Sequence, residues 1–336
     1  MSQQKMLSLC IITKNDEASI SSLLKNMEGI ADEILVADLG SVDHTPDIAR
    51  ELGAVVYEPE WEDSFSKVSN FCMEHASGKW VLFLQADEII PSEQLKELKL
   101  LLQNPAAEGY LFDIAERQEK QVAVFPSQSL RLLRNRKNYR FCYRSFAYIP
   151  EEELYSILNS GIAITHSAES SGWQNEERGR LIDIDLADHS QDAYVWYLEG
   201  IKLFNQQQYK QSAASFELAL HGLRGGYIYA PFLYKHLGIC LLALSRYQAA
   251  EEVLSEGTLL FPFFTDLLVL RAQLYLELGR DMEAIKDLEV CLMLQNTPSI
   301  CVPKPEIERS IIVNMLEEIR SDAGRNNCYS IKPDYL

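Results

Sequence analysis

The sequence predicts an α/β domain, with a mainly parallel sheet covered by helices on both faces, followed by an all-α repeat array. Residues 7–104 alternate between short apolar runs and amphipathic stretches of helical period, which is the pattern of βαβ crossovers. From residue 192 onward the apolar positions follow the helical period alone and recur in successive units. The predicted boundaries are 1–188 for the α/β domain, 189–297 for about three repeats, and 298–336 for a capping helix and tail.

Four apolar runs predict the buried strands of the parallel sheet, because a strand covered on both faces is continuously hydrophobic. They lie at residues 7–13, 33–38, 54–57 and 80–84. Helices are predicted over about 16–29, 45–53, 64–76 and 91–102, and the second has Pro46 in its first turn and Gly53 at its end. Short β segments at 109–115, 122–126, 129–134, 139–148 and 161–166 extend the sheet, and a polar helix over about 175–188 leads out.

The repeat array is predicted from one pattern of six positions that recurs 38 and then 34 residues later. Large residues fill the layers between helices, and the small residues Gly200, Gly238 and Ala272 stand where two helices of a hairpin approach closely. This pattern is typical of tetratricopeptide repeats. The three sets are Trp196, Gly200, Leu203, Tyr209, Phe216, Ala219; Tyr234, Gly238, Leu241, Tyr247, Leu254, Gly257; and Leu268, Ala272, Tyr275, Asp281, Leu288, Cys291.

Charge and cysteine content narrow the classes of partner. The chain has 336 residues and a formal net charge of −18, which disfavours binding to nucleic acid or to an anionic membrane surface. Its seven cysteines show no zinc-ligand spacing, so reduced buried thiols are expected. The sequence shows neither a signal-peptide pattern nor an apolar stretch long enough for a transmembrane helix, so a cytoplasmic location is expected.

Ligands of open parallel sheets bind beyond the carboxyl ends of the strands, where loops and helix N-termini converge. That rule selects the segments 13–15, 38–43, 67–70 and 85–88. Carboxylates or amides in these segments follow buried strands directly, as Asp38 and Gln85 do. The sequence therefore predicts a polar site at this edge of the sheet.

Three strings of the first hundred residues, LSLCIITKNDE, DEILVADLGSVDHTPDIARELGA and WEDSFSKVSNFCMEHASGKWVLFLQADE, carry a family resemblance. In order and spacing they resemble the first half of family 2 glycosyltransferases, which have the GT-A fold (Rossmann-like). RLLRNRKNYRF and GIAITH resemble the bacterial members that continue into tetratricopeptide repeats, so the resemblance covers most of residues 7–290.

The resemblance implies roles for individual residues around a nucleotide-sugar. Asp38 would accept a hydrogen bond from the base, most often uracil, and the loop of Thr13, Lys14 and Asn15 would line the base and ribose. Further groups would lie near the diphosphate or ribose. These are Lys67, Asn70, Gln85 and the arginines Arg131, Arg134 and Arg136, although the arginines could equally form a solvated strand edge.

The resemblance also implies a divalent metal, Mg²⁺ or Mn²⁺, held by Asp87 at the end of the Asp-x-Asp motif. The first position of that motif is Gln85 here, so the site lacks one negative charge. His166 follows an apolar strand and is either a second metal ligand or a structural histidine.

The second departure from the family concerns the catalytic base. Relatives often carry a His-Glu pair after the Arg-Phe strand, where this chain reads RSFAYIP. Inverting transfer needs a carboxylate to take the acceptor's proton, unless the acceptor is as acidic as a thiol. Asp113, Glu116 and the run 151–153 are the candidates.

The predicted function is sugar transfer from a UDP-type donor, metal-dependent and with inversion, to a peptide, protein or saccharide acceptor. A cysteine acceptor would be consistent with the absence of the usual base, because a thiol is acidic enough to need less help in losing its proton. The repeats would present the acceptor or hold a homodimer together. The alternative hypothesis is a catalytically degenerate scaffold that acts through its repeats in protein–protein interaction. A nucleotidyltransferase is disfavoured, since the first strand–helix turn lacks a Gly-rich, Lys-bearing phosphate loop.

Overall fold

The structure, a computed structural model, describes residues 5–114, 128–136, 138–149, 156–166, 173–223, 227–294 and 309–320. The chain divides into two compact units, Met1–Asp188 and His189–Leu336. Across the described ranges, no helix combines the length and the apolar character needed to cross a membrane.

The first unit is built on an eight-stranded mixed sheet of order β3-β2-β1-β4-β7-β6-β8-β5. β1, β2, β3 and β4 are mutually parallel, as expected for strands joined by helical crossovers. β7 then runs antiparallel to both β4 and β6, whereas β8 is parallel to β6 and antiparallel to β5. The strands are β1 (Leu7–Thr13), β2 (Glu33–Asp38), β3 (Val55–Tyr57), β4 (Trp80–Gln85), β5 (Glu88–Ile89), β6 (Gly109–Ile114), β7 (Gln128–Arg134) and β8 (Ile157–His166).

Helices cover both faces of this sheet, which confirms the predicted layers. α1, α2 and α4 pack with Leu9, Ile11 and Leu82 on one face, whereas α3 packs with Cys10 and Val81 on the other. Successive strand residues point to opposite faces, so each buried strand supplies both cores. The helices of the unit are α1 (Ile20–Asn26), α2 (Thr45–Glu51), α3 (Phe65–His75), α4 (Leu95–Gln103) and α5 (Trp173–Asp188).

The second unit is all-helical, as predicted. A Cβ added to Gly200 would lie 2.4 Å from the ring of Phe216, and a Cβ added to Gly238 would lie 2.6 Å from the side chain of Leu254. The small residues of the repeat therefore do stand where paired helices are closest. The helices are α6 (Ala193–Asn205), α7 (Tyr209–Gly222), α8 (Ala230–Ala243), α9 (Tyr247–Leu260), α10 (Asp266–Glu277), α11 (Asp281–Leu294) and α12 (Arg309–Arg320).

Three predicted elements differ from the structure. The helix predicted from Pro91 begins at Leu95, as α4. The reasons are identifiable for another helix and for one strand. α1 begins at Ile20 rather than Asp16, because the Asp16 carboxylate accepts hydrogen bonds from Thr13 Oγ1 and Lys14 N and closes a local turn. The predicted strand 139–148 forms only the isolated bridge between Cys142 and Tyr148. The predicted strand 122–126 lies outside the described residues.

Candidate active site at the carboxyl edge of the sheet

The strand register places the candidate residues of three strands at one edge. Thr13 lies opposite Asp38 in the β1–β2 ladder, and Ile12 lies opposite Gln85 in the β1–β4 ladder. Asp38 and the end of β4 are thus separated by two strand spacings, about 10 Å. The predicted ligand-binding edge therefore does bring together the ends of β1, β2 and β4, which carry Thr13, Asp38 and Gln85.

Asp38 ends β2 with its side chain nearly buried, at 3% exposure for the residue. Its Oδ2 accepts a hydrogen bond from Ser41 N at 3.0 Å, and its Oδ1 accepts one from the Ser41 hydroxyl. The carboxylate therefore closes the turn after β2, in which Gly40 has a φ of +80°.

The loop after β1 is tied to the loop after β2. Asn15 N donates to Ser41 Oγ at 2.8 Å, and Asn15 Oδ1 accepts from Val42 N at 2.8 Å. Asn15 has a φ of 57°, a left-handed conformation that asparagine tolerates better than most residues. Thr13, fully buried, donates through Oγ1 to Asp16 at 2.7 Å. These bonds give the edge a fixed backbone.

The amino end of α5 lies against the end of β1. Gln174 Nε2 donates to the carbonyl of Ile12 at 3.1 Å, and Lys14 Nζ lies 5.9 Å from the centre of the Trp173 ring. The cation–π contact therefore holds Lys14, a member of the selected 13–15 loop, near the amino end of α5.

The two α3 residues predicted near a diphosphate have protein partners. Lys67 is exposed and forms an ion pair with Glu62. Asn70 donates from Nδ2 to the Phe141 carbonyl at 3.0 Å and accepts from Phe141 N at 2.8 Å. Asn70 thus fastens the backbone at residue 141 to α3, and the ligand role of both side chains stays a prediction.

Asp87 and His166 come together although 79 residues separate them. His166 Nδ1 lies 3.2 Å from Asp87 Oδ2, with side-chain exposures of 9% and 4%. The β5–β8 ladder creates the contact, because it pairs His166 with Glu88, the residue after Asp87. A carboxylate and an imidazole this close can bind the same cation, act as a hydrogen-bonded pair, or do each in turn.

The donor set of this pair fits a divalent ion in part. Two adjacent ligand atoms of an octahedral ion with bonds of about 2.1 Å are about 3 Å apart, close to the observed separation. In the part of the chain that the structure describes, no three His, Cys, Asp or Glu side chains are grouped to hold a metal. Among the described residues, this pair would supply two ligands, and Mg²⁺ typically takes its remaining ligands from water and substrate phosphates.

Glu88, the last residue of the selected segment 85–88 and one without a predicted role, is fully buried. Its Oε1 accepts a hydrogen bond from Arg131 Nη2 at 2.6 Å, and its Oε2 accepts one from Gln85 N at 2.7 Å. Arg131 is buried in this ion pair and so is not part of a solvated strand edge, and its phosphate contact stays a prediction. The signal available in the sequence was a glutamate directly after Asp87, the predicted metal ligand.

Arg134 was predicted at the phosphates, and the structure corrects that prediction. It lies opposite Trp80, the first residue of β4, with its guanidinium 4.3 Å from the Trp80 ring centre. Gln85 ends the same strand, so Arg134 is at the other edge of the sheet, about 16 Å away at the rise of an extended strand. Arg136 is near the same far edge, where it pairs with Glu108 at 2.9 Å.

Of the predicted base candidates (Asp113, Glu116 and the run 151–153), the structure describes Asp113. It lies near the carboxyl end of β6, opposite Gln128, and accepts from Gln128 Nε2 at 2.8 Å and from Asn159 Nδ2 at 3.4 Å. β7 separates β6 from β4 in the sheet, which leaves Asp113 about 10 Å from β4 at the spacing of two strands. Glu116 and residues 151–153 lie outside the described residues.

The segment that replaces the usual His-Glu pair is held by α5. The buried Asp185 accepts from the backbone N of Arg144 at 2.8 Å and from the N and Oγ of Ser145 at 2.8 and 2.6 Å. Arg178 donates to the Ser145 carbonyl at 2.6 Å and lies 4.6 Å from the Phe146 ring centre. These bonds explain why the segment forms no ladder, and nothing in the local sequence revealed the part that Asp185 plays.

A small cavity of about 90 Å³ opens beside Gln85, between the ends of β4 and β7 and the helices α3 and α5. Polar groups on its wall include Gln85, Ser69, Ser129, Arg131, Gln174 and Arg178. Pockets for small organic ligands typically enclose about 300 Å³ or more, so this cavity accepts part of a ligand at most as it stands.

Comparisons with known proteins agree with this architecture. Residues 8–155 match the family model "Glycosyl transferase family 2". A TPR repeat-containing protein of Synechococcus elongatus is 29% identical over 281 residues, which span 73% of this chain and 66% of that protein. An uncharacterized glycosyltransferase of Rickettsia typhi is 35% identical over 107 residues, 32% of this chain and 36% of that protein.

Among solved structures, an S. aureus TarS fragment is 17% identical with a TM-score of 0.41, over 90% of this chain and 99% of that one. The matches to the two curated relatives named above cover 66% and 36% of those proteins, which is less than two thirds of each. The family match covers β1 from its second residue and all of β2 to β7, and it ends before β8. The cyanobacterial relative is named for tetratricopeptide repeats, the kind of array that the second unit resembles. The chain therefore contains a family 2 glycosyltransferase domain followed by a tetratricopeptide-like helical array.

Proposed function

We propose that this chain transfers a sugar from a UDP-type nucleotide-sugar to an acceptor, with inversion and with a divalent metal. The observation that carries the proposal is the gathering of Asp38, Gln85 and the Asp87–His166 pair at one edge of a family 2 domain. The spacing of about 10 Å between β2 and β4 suits a ligand that has a base at one end and a diphosphate at the other.

In this proposal each group acts on a different part of the donor. Asp38 accepts a hydrogen bond from the base through the lone pairs that Ser41 leaves open, and the 13–15 loop lines the base and ribose. Asp87 and His166 hold Mg²⁺ or Mn²⁺, which would neutralise charge on the leaving diphosphate. Lys67, exposed and flexible, can leave Glu62 for a phosphate at little cost, because surface ion pairs are weak.

Removal of the acceptor's proton is the step for which the chain offers the fewest candidate residues. Asp113 is the candidate base that the structure describes, and its bonds to Gln128 and Asn159 orient it. A thiol acceptor would lessen the need for a base, because a thiolate forms near neutral pH far more readily than an alkoxide. A cysteine-containing peptide and a saccharide are both acceptors to test, and the array is the proposed surface for a peptide.

Calorimetry with UDP and Mn²⁺ tests the donor site. We expect UDP to bind with a micromolar dissociation constant in the presence of Mn²⁺, and we expect Asp87→Ala to abolish the metal dependence. Asp47→Ala is the control, since Asp47 is exposed on α2. A screen of UDP-sugars for slow donor hydrolysis would then identify the sugar.

A degenerate scaffold is the second candidate, and the size of the cavity beside Gln85 favours it. If folded wild-type protein binds neither UDP nor other nucleotides with Mn²⁺ or Mg²⁺, the transferase proposal is wrong and the scaffold remains. The cytoplasmic location and a homodimer through the repeats stay predictions that this experiment does not address.

A further inference from the structure

We infer that Glu88 and Arg131 are positioning residues for the Asp87–His166 pair: their buried ion pair fixes the 85–88 turn against β7. This role requires neither residue to contact the donor. The inference deepens the proposed function and rests on it for its catalytic meaning, but its structural content can be tested without substrate.

The sheet has a gap between β4 and β7 on the side of the motif. The ladder between β4 and β7 runs from Trp80, opposite Arg134, to Leu82, opposite Leu132, and pairs no residue beyond that point. β4 continues for three more residues, to Gln85, and the cavity lies between the two strand ends. The part of β4 that leads into the motif therefore lacks ladder hydrogen bonds on its β7 side.

The ion pair crosses this gap. Arg131, on β7, reaches Glu88 Oε1 at 2.6 Å, and the other oxygen of Glu88 takes the backbone N–H of Gln85 at 2.7 Å. The two bonds replace, with side chains, the connection that the interrupted ladder no longer gives. They close the turn 85–88, in which Asp87 is the third residue.

The same residue also sets the other side of the pair. Glu88 is the residue of β5 that lies opposite His166 in the β5–β8 ladder. A shift of Glu88 therefore moves both the preceding carboxylate and the strand that presents the imidazole. Partners behind metal ligands commonly change metal affinity about 10- to 100-fold when mutated, because they fix ligand orientation.

Burial makes the pair sensitive to single changes. The side chain of Glu88 is 0% exposed and that of Arg131 is 11% exposed. Removing one partner leaves the other charged group buried and uncompensated, whereas replacing both with apolar groups of similar volume is often tolerated. The double variant therefore distinguishes two roles for the ion pair. If the pair is only structural, the double variant keeps both stability and Mn²⁺ affinity; if it positions the ligands, stability returns but Mn²⁺ affinity does not.

The experiment compares Arg131→Met, Glu88→Gln, Arg131→Lys and the double variant Glu88→Met/Arg131→Met with wild type. Arg271→Met is the matched control, because Arg271 pairs with Asp287 at 2.7 Å in the helical array. Each protein is measured for its melting temperature, for the imidazole NMR signal of His166 without ligand, and for Mn²⁺ affinity at saturating UDP. The His166 signal is assigned by its loss in His166→Gln.

We expect Arg131→Met and Arg271→Met both to lower the melting temperature, but only Arg131→Met to move the His166 signal and to weaken Mn²⁺ binding at least tenfold. The double variant should regain melting temperature without regaining Mn²⁺ affinity. Arg131→Lys, which keeps the charge, should recover part of that affinity. Glu88→Gln, nearly isosteric, gives the same readouts if Arg131→Met does not fold.

An unmoved His166 signal in every folded single variant would overturn the inference, as would a double variant that recovers both stability and Mn²⁺ binding. Failure of the proposed function looks different. In that case wild-type protein binds no Mn²⁺–UDP, yet the His166 signal still responds to Arg131→Met and not to Arg271→Met.

Discussion

His166 Nδ1 lies 3.2 Å from Asp87 Oδ2, across a span of 79 residues that includes β5, β6, β7 and β8. The contact depends on a two-residue strand, since β5 is Glu88–Ile89 and pairs with the last two residues of β8. A short ladder at a sheet edge thus decides whether a carboxylate and an imidazole form one site.

Restoring the missing charge should strengthen metal binding. Gln85→Asp adds a carboxylate two residues before Asp87, and we expect it to raise Mn²⁺ affinity at saturating UDP by about tenfold, which corresponds to about 1.4 kcal/mol. His166→Gln should lower the same affinity. Calorimetric titration of Mn²⁺ into the UDP-saturated protein measures both, and equal affinities in all three proteins would contradict a metal site at this pair.

Two helical glycines should respond to alanine in opposite directions. A Cβ on Gly200 would lie 2.4 Å from Phe216, so Gly200→Ala should destabilise the array by about 1–3 kcal/mol. Gly179, inside α5, has no other atom within 4 Å of an added Cβ. Gly179→Ala should stabilise the first unit by up to about 1 kcal/mol. Urea unfolding of both variants gives the signs, and a neutral Gly200→Ala would mean that α6 and α7 are not packed this closely.

Glu33 should make the first unit sensitive to acid. Burial by itself would raise the pKa of this carboxyl, but hydrogen bonds from Lys5, Ser8 and Ser77 outweigh it and lower the pKa from 4.5 to about 2. The stabilisation is therefore complete above about pH 4.5, where the unfolded carboxyl is also ionised, and is lost as pH falls toward 2. We expect about 2 kcal/mol, after allowance for the partial exposure of Lys5.

Unfolding of Glu33→Gln by urea between pH 6 and pH 3 measures this contribution. The variant should be less stable at pH 6 and should lose less stability in acid than wild type. Glu58→Gln is the control, because the Glu58–Arg50 pair is exposed and should contribute little. Parallel pH profiles for wild type and Glu33→Gln would contradict the prediction.

His236 should make the array sensitive to a milder acid range. Burial chiefly, with the nearby charge of Lys235, lowers the pKa of this imidazole from 6.5 to about 3, against a hydrogen bond to the Phe232 carbonyl. Below about pH 6.5 the unfolded chain takes up a proton that the folded array does not. Stability should therefore fall as pH drops from 6.5, by up to about 1.4 kcal/mol per pH unit.

His236→Phe keeps a ring beside Phe204 and Phe216 and removes this titration. Its stability should vary less between pH 7 and pH 5 than that of wild type, as followed by circular dichroism during urea unfolding. His221→Phe, at an exposed position of α7, should keep the wild-type profile. The same slope in His236→Phe as in wild type would show that another group causes the acid loss.

Much of the fold followed from local pattern. β1 and β2 have the predicted bounds, and the repeat glycines lie at the predicted close approaches, because side-chain period and helix punctuation act within a few residues. The carboxyl edge could be named for a similar reason: parallel strands joined by crossovers all end on one side, so Asp38 and Gln85 had to share it.

What the sequence by itself determined, then, was the two kinds of architecture and the edge that carries the polar groups, with Asp87 and His166 as separate candidates for a metal ligand. Only the tertiary structure decided that β7 runs antiparallel, which moves Arg134 to the far edge and turns Arg131 toward Glu88. The reason is physical. Strand direction and register beyond β4 depend on pairings between distant segments, and no local periodicity encodes which partner a buried charge will find.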